Sequence, residues 1–128
     1  MVIMVVDSTV FIQFFRNNQQ AKEFLLGSSD TLFVCRVTLM EIAAGLKSKT
    51  AVLMAEKQIK DLGIETIEIN EEISVLAGEL FNRYHRTHGI GLIDSFIGAT
   101  ARLRDRKLVT HNTKHFKFIR GLDLIVPY

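Results

Sequence analysis

The amino-acid sequence predicts an α/β fold in which a short, mostly parallel sheet is covered by helices on both faces. Three observations predict it. The chain opens on "MVIMVV", valines and isoleucine at the density of a strand buried on both sides. Further short apolar runs recur along the chain, and amphipathic stretches with apolar residues at helical spacing separate them. The two patterns alternate throughout, as they do where a parallel sheet is wrapped by its own crossover helices. One proline, Pro127, and no Gly/Ser-rich linker, repeat or low-complexity tract in 128 residues lead to the expectation of a single domain, 1–128.

The first strand is expected over residues 2–6. Ser8 then stands where an N-cap would, opening a helix through Phe14 and Phe15. "NNQQ" interrupts the pattern before a second helix over about residues 20–26. "TLFVCR" reads as the second strand. Thr38 reads as the cap of the helix after it, with Glu41 three residues on at the spacing of a capping box. "TAVLMAEKQIKDLG" is a helix closed by Gly63, and "IETIEI" the third strand. From Glu71 the positions Ile73, Leu76, Ala77, Leu80, Phe81 and Tyr84 form one apolar stripe along a long helix. "GLIDSFIGATARLRD" is the last helix, and "KLVT" and "LDLIVPY" are the fourth and fifth strands. In such folds ligands sit beyond the carboxyl ends of the strands, where Asp7 lies.

Apolar residues make up 48% of the chain and charged ones 23%, the balance of a soluble globular protein rather than a disordered or membrane one. No apolar run approaches the roughly 18 residues of a membrane span, and the first residues lack the basic region and cleavage site of a signal peptide. A cytoplasmic protein is expected. Cys35 has no second cysteine to pair with, which agrees with a reducing compartment, and its flank "LFVCRV" favours a buried small hydrophobe over a nucleophile. The net charge of +2 is too mild to argue for nucleic acid from composition. Between Arg83 and Arg120, however, Arg83, Arg86, Arg102, Arg104, Arg106, Lys107, Lys114, Lys117 and Arg120 face only Asp94 and Asp105. That excess suits a phosphate-tracking face, or simply a solvated surface.

Three acids keep apolar company: Asp7 after "MVIMVV", Glu41 in "TLMEIAAGL" and Asp94 in "GLIDSFIGATA". Asp94 shares a helical face with Ile97, Gly98 and Ala101, and Glu41 lies in line with Ala44 and Gly45. Small residues beside a carboxylate let another element or a ligand approach. Each acid alone has a structural reading: a strand-end cap for Asp7, the capping box for Glu41, a buried arginine partner for Asp94. Three carboxylates converging in a poorly hydrated site repel one another, so their pKa values must rise or a cation must neutralise them. Hard oxygen ligands without cysteine select Mg2+ or Mn2+ over zinc, and such an ion activates water against a phosphoryl group. Phosphodiester hydrolysis is the chemistry these residues favour.

The strings "VVDSTVF", "TLMEIAAGL", "GLIDSFIGATA" and "KLVTHNTKHF", with "LIVPY" at the end, occur in an order and spacing that resembles a PIN-domain ribonuclease, specifically the VapC toxins of type II toxin–antitoxin pairs. The resemblance spans essentially the whole chain. It implies a three-layer α/β/α sandwich, a homodimer, Mg2+- or Mn2+-dependent cleavage of RNA, and inhibition by a cognate VapB-like antitoxin. By position Asp7, Glu41 and Asp94 match the family's first three acids, with Asp7 and Asp94 the foremost metal ligands. Ser8 matches its small polar position, and Thr110 its hydroxyl after the fourth strand. Many members carry a fourth acid where this chain reads "THNTKHF". Asn112 and His115 stand there instead, and Asn112 can still offer a carbonyl oxygen or hold a metal-bound water. Thr110 and Asn112 are thus expected to orient water or metal, and Arg102, Arg104 and Lys114 to seat the RNA backbone.

The histidine pairs His85/His88 and His111/His115 have zinc-like spacings but no third ligand nearby, so surface or RNA contacts are the better reading. Phe11, Phe14, Phe15, Phe81 and Phe96 suit core or dimer packing more than base stacking. Two other classes stay open: a phosphoaspartyl hydrolase, for which Thr9 stands where a companion Asp is needed, and an interaction protein that kept the fold without the activity.

Overall fold

A computed structural model describes residues 2–128; Met1, the first residue of the opening apolar run, lies outside the described residues. Five strands, β1 (Ile3–Val6), β2 (Thr31–Cys35), β3 (Glu65–Ile67), β4 (Lys107–Val109) and β5 (Asp123–Ile125), form one sheet in the order β3-β2-β1-β4-β5. All neighbours run parallel, with Ile3 opposite Thr31 and Val6 opposite Val109. Six α-helices, α1 (Ser8–Phe15), α2 (Gln19–Gly27), α3 (Arg36–Ala44), α4 (Lys49–Asp61), α5 (Glu71–His88) and α6 (Leu92–Leu103), alternate with them, and a single 3₁₀ turn spans Thr113–His115. The expected α/β sandwich is the observed one.

Alternation along the strands explains the layers. Successive side chains of a strand point to opposite faces, so a strand covered on both sides must be apolar at every position. Met4, Val6, Leu32, Val34 and Val109 turn to one face, where Val10, Phe11, Leu39, Ile42 and Ile59 of α1, α3 and α4 cover them. Val5, Phe33 and Leu108 turn to the other, under Ile73, Leu80, Tyr84, Ile97 and Phe116. The stripe predicted for α5 is realised at Ile73, Ala77, Leu80 and Tyr84, which are buried. Phe11 is wholly buried, while Phe14, Phe15, Phe81 and Phe96 are only partly so. Cys35 is buried in the core, as its flank suggests.

The helix ends differ from expectation in two instructive places. Ser8 is not the cap of α1; Asp7 holds the N-cap position, without a side-chain capping bond. Nor do Thr38 and Glu41 form a capping box. Strand β2 pairs as far as Cys35 opposite Ile67, and α3 starts at the very next residue with Cys35 as its N-cap. The cap reading assumed a loop that the chain does not have. Thr38 therefore lies inside the helix, fully buried, and Glu41 lies beyond its first turn. Arg36, read as strand, opens that helix. Ala44 and Gly45, read as a line of small residues beside Glu41, are exposed. Elsewhere the caps follow local chemistry: the side chains of Asn18, Ser48 and Asn70 accept from backbone N–H groups at the starts of α2, α4 and α5. Gly63, after α4, has φ +80°, a conformation costly to residues with a Cβ.

The switch in strand order places the site. The chain moves from β1 outward through β2 to β3, then returns to the opposite side of β1 as β4 and β5. Loops leaving β1 and β4 therefore diverge, opening a crevice at their carboxyl ends. Phe11→Ala, at the centre of one layer, is expected to lower unfolding free energy by about 3–5 kcal/mol in urea titrations, whereas Leu53→Ala, 58% exposed on α4, is expected to change it by less than about 0.5 kcal/mol.

Candidate active site

Asp7 follows β1 directly and its backbone N–H donates to the Val109 carbonyl at 2.9 Å, continuing the pairing of the two strands. This carries its side chain to the mouth of the crevice, where it is 3% exposed. Thr110, one residue beyond β4 and fully buried, donates from Oγ1 to Asp7 Oδ2 at 2.8 Å. The same hydroxyl oxygen accepts the Asn112 backbone N–H at 3.0 Å, which fixes the loop leaving β4. Ser8 Oγ lies 3.5 Å from Asp7 Oδ1.

Asp94 enters from the first turn of α6, and Glu41 from α3. A cavity of about 330 Å³ is lined by both, together with Asp7, Ser8, Asn112 and His115, with Gly91, Leu92 and Ile93 forming an apolar rim. Three acids from three separate elements thus meet. Ile97, Gly98 and Ala101 on the face of Asp94 are buried as expected, but Asp94 itself, one or two turns nearer the helix start, reaches the cavity. Its partner is not an arginine: the Nδ1–H of His115 donates to Asp94 Oδ2 at 3.0 Å. The family resemblance leads to the expectation of an acid near His115; its bond to Asp94 depends on the 3₁₀ turn, in which the His115 N–H donates to the Asn112 carbonyl.

The electrostatics follow from crowding. Burial pushes the Asp7 carboxyl up, opposed by the bonds from Thr110 and the Ser8 backbone and reinforced by the Asp94 charge. Burial also raises Glu41, with repulsion from Asp7 adding to it and the Ser8 hydroxyl opposing. Asp94 is raised by burial and held back by His115. Glu41 Oε1 is buried with no hydrogen-bond partner. A buried carboxylate oxygen left unsatisfied is costly unless something outside the chain meets it.

The other expected site residues divide. Lys114 is exposed beside His115, on the rim of a neighbouring hollow. Arg102 and Arg104 stand in the last turn and at the C-cap of α6, about 12–15 Å along the helix axis from Asp94. The Arg104 guanidinium lies 4.6 Å from the centre of the Phe33 ring. The histidine pairs do not act as pairs: His111 packs edge-on against Tyr128 while His115 binds Asp94, and His85 stacks on Phe81 while His88 stacks on Phe118. At the position where a phosphoaspartyl enzyme needs an acid, Thr9 instead accepts the His111 backbone N–H.

Raised carboxyl pKa values mean that, above about pH 4, the folded chain holds these protons more firmly than the unfolded one. Their contribution to stability is therefore lost as pH rises from the ordinary carboxylate range through the raised values. In EDTA, melting temperature is expected to fall over that range, and Asp7→Asn to flatten the fall and melt above wild type at neutral pH. Thr110→Val removes the bond that lowers the Asp7 pKa and orphans the Asn112 N–H. It is expected to cost about 1–3 kcal/mol in urea titrations and to move the carboxyl titration of Asp7, followed by NMR, to higher pH.

The PIN domain family model matches residues 4–121. Ribonuclease VapC10 of Mycobacterium tuberculosis is 29% identical over 127 residues, covering 94% of this chain and 90% of the relative. Ribonuclease VapC19 of the same organism is 27% identical over 128 residues, covering 97% and 98%. Among solved structures, a toxin–antitoxin complex from Klebsiella pneumoniae matches with a TM-score of 0.75 at 26% identity, covering 98% of both chains. VapBC2 from Rickettsia felis, bound to a DNA fragment from its promoter, matches in fold with a TM-score of 0.80 at 23% identity, covering 97% and 98%. A parallel sheet with three acids gathered at its switch point, and a family match running from β1 to beyond the 3₁₀ turn, agree: this chain belongs to the PIN domain family.

Proposed function

We propose that this chain is the toxin of a type II toxin–antitoxin pair: a cytoplasmic endoribonuclease that hydrolyses RNA phosphodiester bonds and is held inactive by a cognate VapB-like antitoxin. The observation that carries it is the convergence of Asp7, Glu41 and Asp94 from β1, α3 and α6 on one cavity. Relatives named as ribonucleases and a solved likeness described as a toxin–antitoxin complex support it. Among the described residues no helix is long and apolar enough to cross a membrane. Exposed Leu26, Met40, Leu53 and Met54 leave apolar surface for the antitoxin or for a homodimer partner.

PIN-domain ribonucleases generally depend on a divalent metal, and the donors here suit one. Among the described residues no group of three or more His, Cys, Asp or Glu side chains is gathered closely enough to hold a metal ion by itself. The acids instead line an open cavity, and Glu41 Oε1 lacks a partner. That is the arrangement a hard cation uses when it keeps several waters and takes only one or two carboxylates. Asp7 and Asp94 would hold Mg2+ or Mn2+, with Glu41 beside them. Three carboxylates line the cavity, and Asn112 and His115 stand where a fourth acid is expected, which favours a single ion over two. Such an ion, when bound, stabilises charge on a phosphoryl oxygen and acidifies water.

The chain's own residues then divide the work of hydrolysis. Thr110 holds Asp7 in one rotamer, and His115 does the same for Asp94. Glu41 Oε1, unpartnered and with a raised pKa, accepts the proton of the attacking water. Asn112 orients that water, Leu92 and Ile93 limit solvent at the rim, and Lys114 attracts the RNA backbone. The water oxygen bonds to phosphorus as the bond to the leaving ribose oxygen breaks, and that oxygen takes its proton from solvent water at the open side of the cavity.

Purified protein incubated with a mixed RNA pool is expected to cut it with Mg2+ or Mn2+ and to stop in EDTA. Asp7→Asn and Asp94→Asn are each expected to lower the rate by about 100-fold or more while remaining folded by circular dichroism. A folded wild type that is inert with either metal would give the lead to the interaction-protein reading.

A further inference from the structure

Next to the acid cavity lies a second hollow of about 460 Å³, which shares Gly91, Asp94 and His115 with it and is completed by His88, Gly89, Ile90, Lys114 and Phe118. Of its outer wall the mechanism uses only Lys114. That wall is aromatic: the His88 imidazole stacks on the Phe118 ring, 4.6 Å between centroids at 22°, and the Tyr84 ring stands edge-on to His88 at 5.6 Å and tilted against Phe118 at 5.0 Å. The Thr87 hydroxyl, 2.7 Å from His88 Nδ1, fixes the ring. His88 is nonetheless exposed, as is the Lys114 ammonium on the same hollow.

The backbone keeps this hollow open. Gly89 ends α5 in the left-handed conformation, φ +73°, and Gly91 precedes α6; nothing lies within 4 Å of where a Cβ on either would stand. The tight turn between the two helices therefore presents bare backbone between the stacked rings and the acids. A phosphate seated at the acids through a cation would place the base of an adjoining nucleotide beside this hollow, which shares Gly91, Asp94 and His115 with the acid cavity.

We infer that this hollow is a nucleobase subsite of the RNA-cutting centre: the base flanking the scissile phosphate stacks on the His88–Phe118 platform, and Lys114 receives the next backbone phosphate. The inference rests on the ribonuclease reading for its substrate. Stacking on aromatic rings is tolerant of base identity, so the subsite gives affinity and register rather than a sequence code. It accounts for His88, exposed at a helix end yet held in one orientation by three neighbours.

The test is binding with Ca2+ supplied in place of Mg2+ or Mn2+, an oxygen-seeking cation that can bridge the acids and a phosphate, followed by NMR of the histidine and phenylalanine ring protons. The probes are a pentauridylate RNA, the same ribose-phosphate chain without bases, and uridine monophosphate. Pentauridylate is expected to shift the His88 and Phe118 ring signals and to bind about 5- to 100-fold more tightly than the abasic chain. His88→Ala is expected to abolish most of that preference and His88→Phe to retain it. Lys114→Ala is expected to weaken both chains alike.

A preference that persists in a folded His88→Ala variant overturns the subsite and leaves the rings as a cover for Tyr84. Equal binding of pentauridylate and the abasic chain, no binding of either, or uridine monophosphate bound as tightly as pentauridylate overturns it too. If the base preference appears and collapses as expected while the protein cuts no RNA in any metal, the subsite stands and the ribonuclease reading falls alone.

Discussion

Everything at the working end of this molecule depends on burying the Asp7 carboxylate between β1 and β4. A charge taken out of water there is tolerated only if its oxygens are met, and the chain meets one of them with Thr110 from the adjacent strand end. That bond ties the two strands together beyond their last ladder pair and sets the path of the loop that carries Asn112 and His115. The crevice is the consequence of strand order; the hydroxyl is what allows an acid to occupy it.

The site is nonetheless a source of instability, and the rest of the fold offsets it. The Asp94 charge raises Asp7, and Asp7 and Asp94 both raise Glu41, on top of what burial does. Each helix start that borders the crevice helps a little, since Asp7 holds the N-cap position of α1 and Asp94 lies in the first turn of α6, where the helix dipole favours negative charge. The larger compensation is the pair of apolar layers, continuous on both faces of the sheet. A domain this small can hold three partly desolvated acids because nearly all its remaining interior is hydrocarbon.

The turn from α5 to α6 links these features to substrate. Two glycines, one of them in the left-handed conformation, let the chain reverse tightly enough for Asp94 and His88 to border the same hollow. On the far side, the 3₁₀ turn delivers His115 to Asp94 and Lys114 to the rim. Two short irregular segments thus decide what stands around the acids, while the strands decide where the acids are.

The sequence by itself determined the α/β class, the strand and helix order, and Asp7, Glu41 and Asp94 as the acids of interest. Its information there is local: apolar density marks buried strands, and an acid in apolar surroundings stands out whatever the fold. It also held Thr110 and Asn112, through the family motif rather than any local signal. Tertiary structure decided the rest. Glu41 reads as half of a capping box until β2 is seen to pass into α3 without a loop, because helix starts are set by strand pairing as much as by cap residues. Arg102 and Arg104 look adjacent to the site in sequence, yet the length of α6 carries them to its other end. The four histidines form two regular spacings, yet neither acts as a pair: His85 and His88, three apart on α5, stack on Phe81 and Phe118, while His111 and His115 lie on either side of the 3₁₀ turn's start and meet Tyr128 and Asp94. Spacing along a chain fixes chemistry only where both residues share one regular element; between elements, the packing of helices on the sheet decides which groups meet.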